Sequence, residues 1–523
     1  MSTNKENLTQ DVGKISSGTF LSRISGLIRD IFLTHFLGTT AAADSFGVAF
    51  VIPNMLRGLF GEGSLAAAFI PSYTEIKETR SKEEAVAFAM NLLSILVLIL
   101  IGLVMLGILL APIIIRIMAP GFSSEIQELT IKLTRILFPY LFLIGLTSVI
   151  IAILNAHKIF FFPSLSPFML NLGIILPIIV VSFFVQTDIM YRAYLFSFGV
   201  LLGGVFQLIV NIRFLKTIGY SYKFKINFKQ KELKGVWNRM IPGIISLGIR
   251  EVNVVVDTLL ASLLITGSVA ALQYGNRLMQ LPLGVFGVAV GAAVLPMFSR
   301  QTAHKRADEL IGSIQEAFQM IMIIMMPIIA LILVLGKDAI SLVFLHGAFD
   351  HQALIMTYSA LAFYSIGLIS HSSVKIFASA FFALKNTKIP MIIAGIAVVC
   401  NIILNIILMK LLQLRGLALA TSIAATLQAT ILFLALQVKV GRISFKKISI
   451  TFVKVVVLSL ITGIVAYYVN VLLSQYFLPT KVFILIKLII IFVICILIYF
   501  IGLKLFKVTD LRKIKQSIFL STR

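Results

Sequence analysis

Residues 86–113, VAFAMNLLSILVLILIGLVMLGILLAPI, hold no charged side chain. About 20 such residues wound as a helix cross the hydrocarbon core of a bilayer, where each backbone N–H and C=O must be satisfied within the segment. The chain repeats this reading along its length. Similar runs, separated by polar or Pro/Gly-rich punctuation, occupy 15–36, 43–73, 131–154, 163–185, 193–215, 236–265, 269–298, 310–336, 353–384, 389–410, 415–438, 447–473 and 479–503. Together they predict fourteen spans, of which 43–73 and 269–298 are long and rich in Gly, Pro and polar residues. The composition agrees: 59% hydrophobic, 13% charged, mean hydropathy +1.04. A soluble chain of 523 residues cannot hide that much apolar surface, so the fold class is an all-α polytopic membrane protein.

Charge then sets the expected orientation. With an internal N-terminus and an even number of spans, most of the 45 Lys and Arg fall in internal segments, densest between Arg213 and Arg239. External segments hold only Arg116, Lys132, Arg192, Lys337, Lys410, Arg415 and Lys481. This is a positive-inside pattern with both termini cytoplasmic. It also accounts for the net charge of +24 without nucleic acid. The first residues, up to Lys14, are polar and lead into a long helix rather than a short apolar leader, so no cleaved signal peptide is expected. Within 213–239, Tyr220, Tyr222, Phe224, Ile226 and Phe228 alternate with polar or basic residues. That pattern reads as an irregular strip on the membrane surface, or as a plain topogenic loop.

Several chemistries find no support. Cys400 and Cys495 lie in separate apolar segments and read as buried hydrophobes. His346 and His351 flank Gly347 and Asp350 in a loop without metal-ligand spacing. No phosphate-binding glycine loop, nucleophile elbow or paired carboxylates of a sugar transferase is present, so no enzyme is expected. An internal similarity is present: Ala67-Ala68-Phe69-Ile70-Pro71 corresponds, 225 residues on, to Ala292-Ala293-Val294-Leu295-Pro296. With six spans before the basic segment and eight after it, the repeat is parallel, as in transporters built of two bundles about a central cavity.

Nine basic residues lie inside spans: Arg23, Arg29, Arg57, Arg135, Arg250, Arg277, Lys375, Lys454 and Lys487. An arginine at bilayer depth costs at least about 2.5–3.5 kcal/mol, so it faces water or a partner. Arg23, Arg29, Arg57 and Arg277 sit among glycines and small polar residues, which predicts a hydrated cationic cavity and an anionic cargo. In the first span Ser22, Ser25, Gly26 and Arg29 share one helix face, with Arg23 at its edge and Asp30 on Arg23's side. A helix-packing seam would give the same small stripe but needs no charge. In the second span Pro53, Asn54, Arg57, Gly58, Gly61, Glu62 and Gly63 crowd one region. There Arg57 is the candidate anion ligand and Glu62 its counter-charge, or the two form a static ion pair. In the eighth span Gln273, Arg277, Gln280 and Gly284 form a polar stripe on an otherwise apolar helix. Guanidinium groups grip phosphate oxygens in pairs, so convergent arginines suit a diphosphate better than a carboxylate.

These residues resemble a known family. Ser22-Arg23-x-x-Gly26-x-x-Arg29-Asp30 is followed by Asp44-Ser45-Phe46-x-x-Ala49-Phe50-x-x-Pro53-Asn54-x-x-Arg57, then by Glu62-Gly63-x-x-x-x-Ala68-Phe69-x-Pro71. Ala119-Pro120-Gly121-Phe122 and Tyr274-x-x-Arg277-Leu278-x-x-x-Pro282-x-Gly284-Val285 come later. In type and order they resemble the MurJ (MviN) lipid II flippases of the multidrug/oligosaccharidyl-lipid/polysaccharide exporter superfamily, from about residue 10 to 440. The last two spans match in hydropathy only.

The resemblance implies two pseudo-symmetric lobes around the cavity: an N-lobe over 1–215, a basic interfacial linker over 216–235 and a C-lobe core over 236–440. Residues 441–523 would supply a lipid-tail groove from the last two spans, and a basic tail. The implied activity is transfer of undecaprenyl-diphosphate-linked peptidoglycan precursor, lipid II, from the inner to the outer leaflet of the bacterial inner membrane by alternating access. The family's cavity arginines fall on Arg23, Arg29, Arg57 and Arg277; Asp44 and Glu62 match further polar positions, and Ser22, Asn54, Gln273 and Gln280 complete the candidate substrate set. No cofactor is implied beyond a coupling Na⁺, for which Asp257, Asn401, Asn405, Leu417 and Thr421 match the family's site. The family carries Asp where this chain has Asn405, so that site would be weakened. The expected partners are lipid II and membrane lipids, and the expected state a monomer. Rival readings are a flippase for another polyprenyl-linked saccharide, a cation-coupled drug exporter, whose cationic cargo four arginines would repel, and a non-transporting scaffold.

Overall fold

The computed structural model describes residues 2–61, 64–184, 187–220, 224, 226–476 and 480–508. Among them all regular structure is helical: α1 (Ser2–Leu37), α2 (Ala41–Gly61), α3 (Ser64–Thr79), α4 (Lys82–Met118), α5 (Ser124–Leu137), α6 (Pro139–Ala156), α7 (Phe161–Ser164), α8 (Ser166–Phe184), α9 (Ile189–Thr217) and α10 (Lys231–Ser262). Then follow α11 (Ser268–Pro282), a π-helical turn (Leu283–Gly287), α12 (Val288–Ala303), α13 (Ala307–Phe344), α14 (His351–Ser365), α15 (Leu368–Ala383), α16 (Lys388–Leu412), α17 (Leu414–Val440), α18 (Phe445–Tyr476) and α19 (Lys481–Leu505). Polar caps fix several starts: Ser81 accepts from Glu84 N at 3.1 Å before α4, and Asp350 from Ala353 N at 2.8 Å before α14.

Every expected span coincides with a helix or a broken run of helices. Among the described residues nine helices are long and apolar enough to cross a membrane, and the bent pair α14–α15 makes a tenth. Of the remaining expected spans, α1, α2 and α10 carry in-span charges, among them Arg29, Arg57 and Asp257, and α8 holds a shorter apolar stretch. Within the second expected span residues 62 and 63 lie outside the described residues. Of the other expected single helices, the fourth is interrupted at Phe138 and the fifth at Leu165, the eighth passes through the π-turn that follows Pro282, and the tenth bends by 43° between Ser365 and Leu368. A proline removes one backbone donor and Gly367 adds no side chain to bridge the gap, which accounts for the last two.

The repeat extends well past the short sequence match. Advancing by 225 residues carries Leu37, the end of α1, onto Ser262, the end of α10. It carries Lys82, the start of α4, onto Ala307, the start of α13, and Ile189, the start of α9, onto Leu414, the start of α17.

By packing, the chain forms two compact units, Met1–Ala270 with His346–Phe349, and Ala271–Leu345 with Asp350–Arg523. In the first, α8 and α9 approach backbone to backbone: a Cβ on Gly173 would lie 2.2 Å from the Gly203 Cα. Such glycine contacts draw membrane helices together without a hydrophobic driving force. The core of this unit joins Phe69 and Tyr73 of α3, Phe88 and Leu92 of α4, Ile153 of α6, and Val236 and Met240 of α10. Here the packing departs from the boundary expected at 215/236. Helix α10 opens the second repeat in sequence, yet it packs on α2, α3 and α4, whereas its counterpart α1 packs on α8 and α9. The basic segment departs from expectation as well. Tyr220 is buried against Tyr73, and Asn91 clamps the backbone of Asn227, donating to its oxygen at 3.0 Å and accepting from its nitrogen at 2.7 Å. Phe224 and Phe228 remain exposed, and Tyr222 lies outside the described residues. In the second unit α13 is the hub, touching α14, α15, α18 and α19.

Candidate substrate and cation sites

The small stripe of α1 serves two purposes at once. Arg29 donates to Asp30 Oδ1 from Nε at 3.1 Å and from Nη2 at 2.9 Å, and to Asn171 Oδ1 on α8 from Nη1 at 3.0 Å. Asn171 in turn donates to Ser25 Oγ at 2.9 Å and, at 3.4 Å, to the carbonyl of Ser22. Ser25 and Gly26 are thus a packing seam against α8, and Arg29 is the charged end of that seam. Its side chain keeps 16% exposure, that of Asp30 11%. Asp30 pairs with its chain neighbour Arg29 at 2.9 Å, and Arg23 is exposed. Asn171, absent from the sequence-derived set, is the cross-helix partner. The signal was a lone amide inside the apolar run 163–185.

On α2 the helix continues through Pro53, and Arg57 Nε donates to Asn54 Oδ1 at 3.1 Å. Arg57 is half-buried and Asn54 exposed. Glu62, its expected counter-charge, lies outside the described residues. Asp44 is 2% exposed and accepts from Gly267 N at 2.5 Å and Ala270 N at 2.8 Å. It caps the first turn of α11 and is a positioning group. Gly267 takes φ +90°, and a Cβ there would meet the Thr39 carbonyl at 2.2 Å, so only glycine lets the backbone approach the cap. On α11, Gln273 and Arg277 are half-buried, and Gln280 donates to Asn276 Oδ1 at 2.7 Å. Arg23, Arg29 and Arg57 belong to the first unit and Arg277 to the second.

The cation candidates divide in the same way. Asn401 and Asn405 of α16 are buried, and Asn405 donates to Asn401 Oδ1 at 2.8 Å. On the adjacent α17 the Thr421 hydroxyl donates to the Leu417 carbonyl at 3.1 Å. Asn401 Nδ2 is buried without an acceptor; rotating both amides places the Asn401 oxygen there and keeps the bond between them, with Asn401 now the donor. These are oxygen donors of the kind a hard cation takes, so the residues fit Na⁺. Asp257, the one carboxylate of the set, lies on α10 in the first unit. Among the described residues no three His, Cys, Asp or Glu gather as a metal cluster. His346 instead sits edge-on to His35 at 5.0 Å, in a turn whose Ala348 N donates to the His35 carbonyl at 2.8 Å.

Polar side chains also gather in the first unit outside the expected set. Arg80 bonds Glu232 at 2.7 Å and Arg239 bonds Ser72, lining a cleft of about 190 Å³ between α3 and α10. The Glu232 backbone amide first, and then Arg80, hold the Glu232 carboxyl below its usual range.

With apolar spans, an internal repeat and, among the described residues, helices alone, this is a polytopic membrane protein, and it shares its fold with a member of the MOP superfamily. It is similar to an inward-facing multidrug resistance MATE family transporter of that superfamily, with a TM-score of 0.69 at 17% identity, covering 80% of this chain and 94% of the other. Within that fold the chain belongs to the MurJ family, whose model, described as "Lipid II flippase MurJ", matches residues 33–488. A probable lipid II flippase MurJ of Buchnera aphidicola subsp. Baizongia pistaciae is 33% identical over 435 residues, 82% of this chain and 83% of that relative. One from Vibrio cholerae is 30% identical over 440 residues, 81% of this chain and 82% of the relative. A solved structure of lipid II flippase MurJ in an inward closed conformation has a TM-score of 0.79 at 29% identity, covering 94% of this chain and 98% of that one.

Proposed function

We propose that this protein moves lipid II from the inner to the outer leaflet of the bacterial inner membrane. The family match over 33–488, which contains both Arg57 and Arg277, carries the reading. Arginines bind the diphosphate while the prenyl tail stays in lipid; Arg29, already bonded to Asp30 and Asn171, exchanges those partners for phosphate oxygens. Asp44 fixes the start of α11, on which Gln273, Arg277 and Gln280 stand. The chain acts by binding and moving its cargo and breaks no covalent bond. With the cell interior negative, the membrane potential drives an anionic cargo outward, at about 2.3 kcal/mol per charge per 100 mV. The Lys/Arg distribution supports both termini on the cytoplasmic side. If Na⁺ couples to transport, Asn401, Asn405, Leu417 and Thr421 would hold it with Asp257, and it would supply a charge that biases one conformation.

The test is a leaflet-accessibility assay for lipid II in cells depleted of the native protein and supplied with variants. Arg57→Ala and Arg277→Ala should each abolish transport with expression near normal. Arg57→Lys and Arg277→Lys should stay well below wild type, because lysine keeps the charge but loses the planar fork. Wild-type transport by both alanine variants would overturn the proposal.

A further inference from the structure

Two of the in-span lysines, Lys454 and Lys487, belong to no substrate set. Both sit on the α18–α19 hairpin. Lys487, 6% exposed, donates to Asp338 Oδ2 of α13 at 2.9 Å and to Ser474 Oγ of α18 at 3.1 Å. Lys454 Nζ reaches the Phe506 carbonyl at the far end of α19, at 2.8 Å. Further polar ties lie along the seam. Tyr499 donates to the Ile323 carbonyl of α13 at 2.7 Å, and Gln319 of α13 to Thr451 Oγ1 of α18 at 2.8 Å. From Gln319 to Asp338 these ties span about 28 Å of helix, close to the thickness of a hydrocarbon core. Between them the seam is apolar and close: Gly463 faces Ala330, and Leu335, Ala466, Ile491 and Cys495 form one buried cluster. Helix α19 closes on α18 as tightly, since a Cβ on Gly502 would lie 2.1 Å from Leu458 Cδ1.

A lipid tail entering between α13 and α18 would have to part these pairs within hydrocarbon, where a stranded lysine or carboxylate is costly. The outer stripes ask for no such parting: Leu460, Ile464 and Tyr468 on α18 and Ile489, Val493 and Leu497 on α19 are exposed. We infer that α13, α18 and α19 travel as one body through transport and that the seam between α18 and α13 never opens to the prenyl tail. The tail's part in this rests on the flippase reading.

A disulfide across the seam tests it. A Cβ on Gly463 would lie 3.5 Å from the Ala330 Cβ, within the range a disulfide bridges. Gly463→Cys/Ala330→Cys is made with Cys400→Ala and Cys495→Ala and reconstituted with lipid II in vesicles. The oxidised protein should flip lipid II within twofold of the reduced protein. Loss of flipping on oxidation, restored by a thiol reductant, would overturn the inference. Thermal stability supplies a readout independent of transport: Lys487→Asp and Asp338→Lys should each lower the melting temperature, and the double reversal should recover most of that loss. No recovery would also overturn it. An inactive cysteine-free parent would count against the flippase reading instead, and the charge reversal would still decide the seam.

Discussion

Asn171 accepts from Arg29 and donates to Ser25, so one amide on α8 fixes both the charge and the small face of α1. This relationship changes what removal of Arg29 does. Arg29→Ala takes the paired guanidinium away from Asp30, which is largely buried beside it, so expression should fall together with transport. Losing one member of a buried charge pair typically costs about 3–5 kcal/mol. Arg29→Ala/Asp30→Asn should restore expression but not transport. If the double variant also flips lipid II, Arg29 is structural and not a phosphate ligand.

Asn171→Ala should destabilise by about 1–3 kcal/mol, because it leaves Ser25 and Arg29 each short of a partner. The melting temperature in detergent reads this directly. An unchanged value would mean that water replaces the amide at no cost.

Asp44→Ala should lower the melting temperature and transport together, since the amides of Gly267 and Ala270 lose their acceptor. Removing a helix cap costs about 0.5–2 kcal/mol. Asp44→Asn, which keeps one carbonyl oxygen, should lose less. Equal losses in the two variants would show that charge matters here and capping does not.

Asn405→Asp should raise the affinity for Na⁺. The wild-type cluster on α16 and α17 offers neutral oxygens, and a carboxylate adds Coulomb attraction in a medium of low dielectric. Thermal stability measured across a Na⁺ series, with K⁺ holding ionic strength constant, should show weak dependence for wild type and a saturable rise for the variant. Strong saturable stabilisation of the wild type, unaltered by Asn405→Asp, would place the cation elsewhere.

His157, at the end of α6 beyond the membrane span, has its pKa held below the usual histidine value by burial, with Lys77 and Lys82 adding to the shift. The unfolded chain therefore binds a proton there before the folded chain does. The stability contribution is present above the ordinary pKa of about 6.5 and is lost as pH falls through the folded value. Acidification from pH 7.5 to 5 should lower the melting temperature of wild type more than that of His157→Gln. Parallel curves would remove His157 from the account.

Much of this fold was legible because bilayer physics writes it in composition: the long apolar runs and the asymmetry of lysines and arginines both survive without tertiary information. What hydropathy could not show is where a span breaks, since Pro282 and Gly367 sit in runs that remain apolar across the interruption. Nor could it assign α10 to a bundle, because the repeat orders helices by sequence and packing assigned this one by side chains such as Val236 and Met240. At the candidate site, residue type singles out Arg29 and Arg57, but the helical offset, which sets Asp30 on Arg23's side, does not show the bond from Arg29 to Asp30. Neighbouring side chains with long reach, such as Arg29 and Asp30, can bond without sharing a helical face. Asn171 stayed hidden because a single amide in an apolar run has no partner until the helices are packed.

Asn91 holds the backbone of Asn227 and also donates to Gln230 Oε1, at 2.6 Å, just ahead of α10. Three residues of chain separate the first pin from the helix, so α10 has almost no slack at that end. It cannot slide along its own axis without breaking the clamp, but it can pivot about it. A helix of 32 residues is about 48 Å long, and a 5° swing about a fulcrum at one end displaces the other by about 4 Å. The chain from Asn227 to Gln230 is therefore a pin and not a leash, and a swing of that size would carry Asp257, near the other end of α10, through most of its arc.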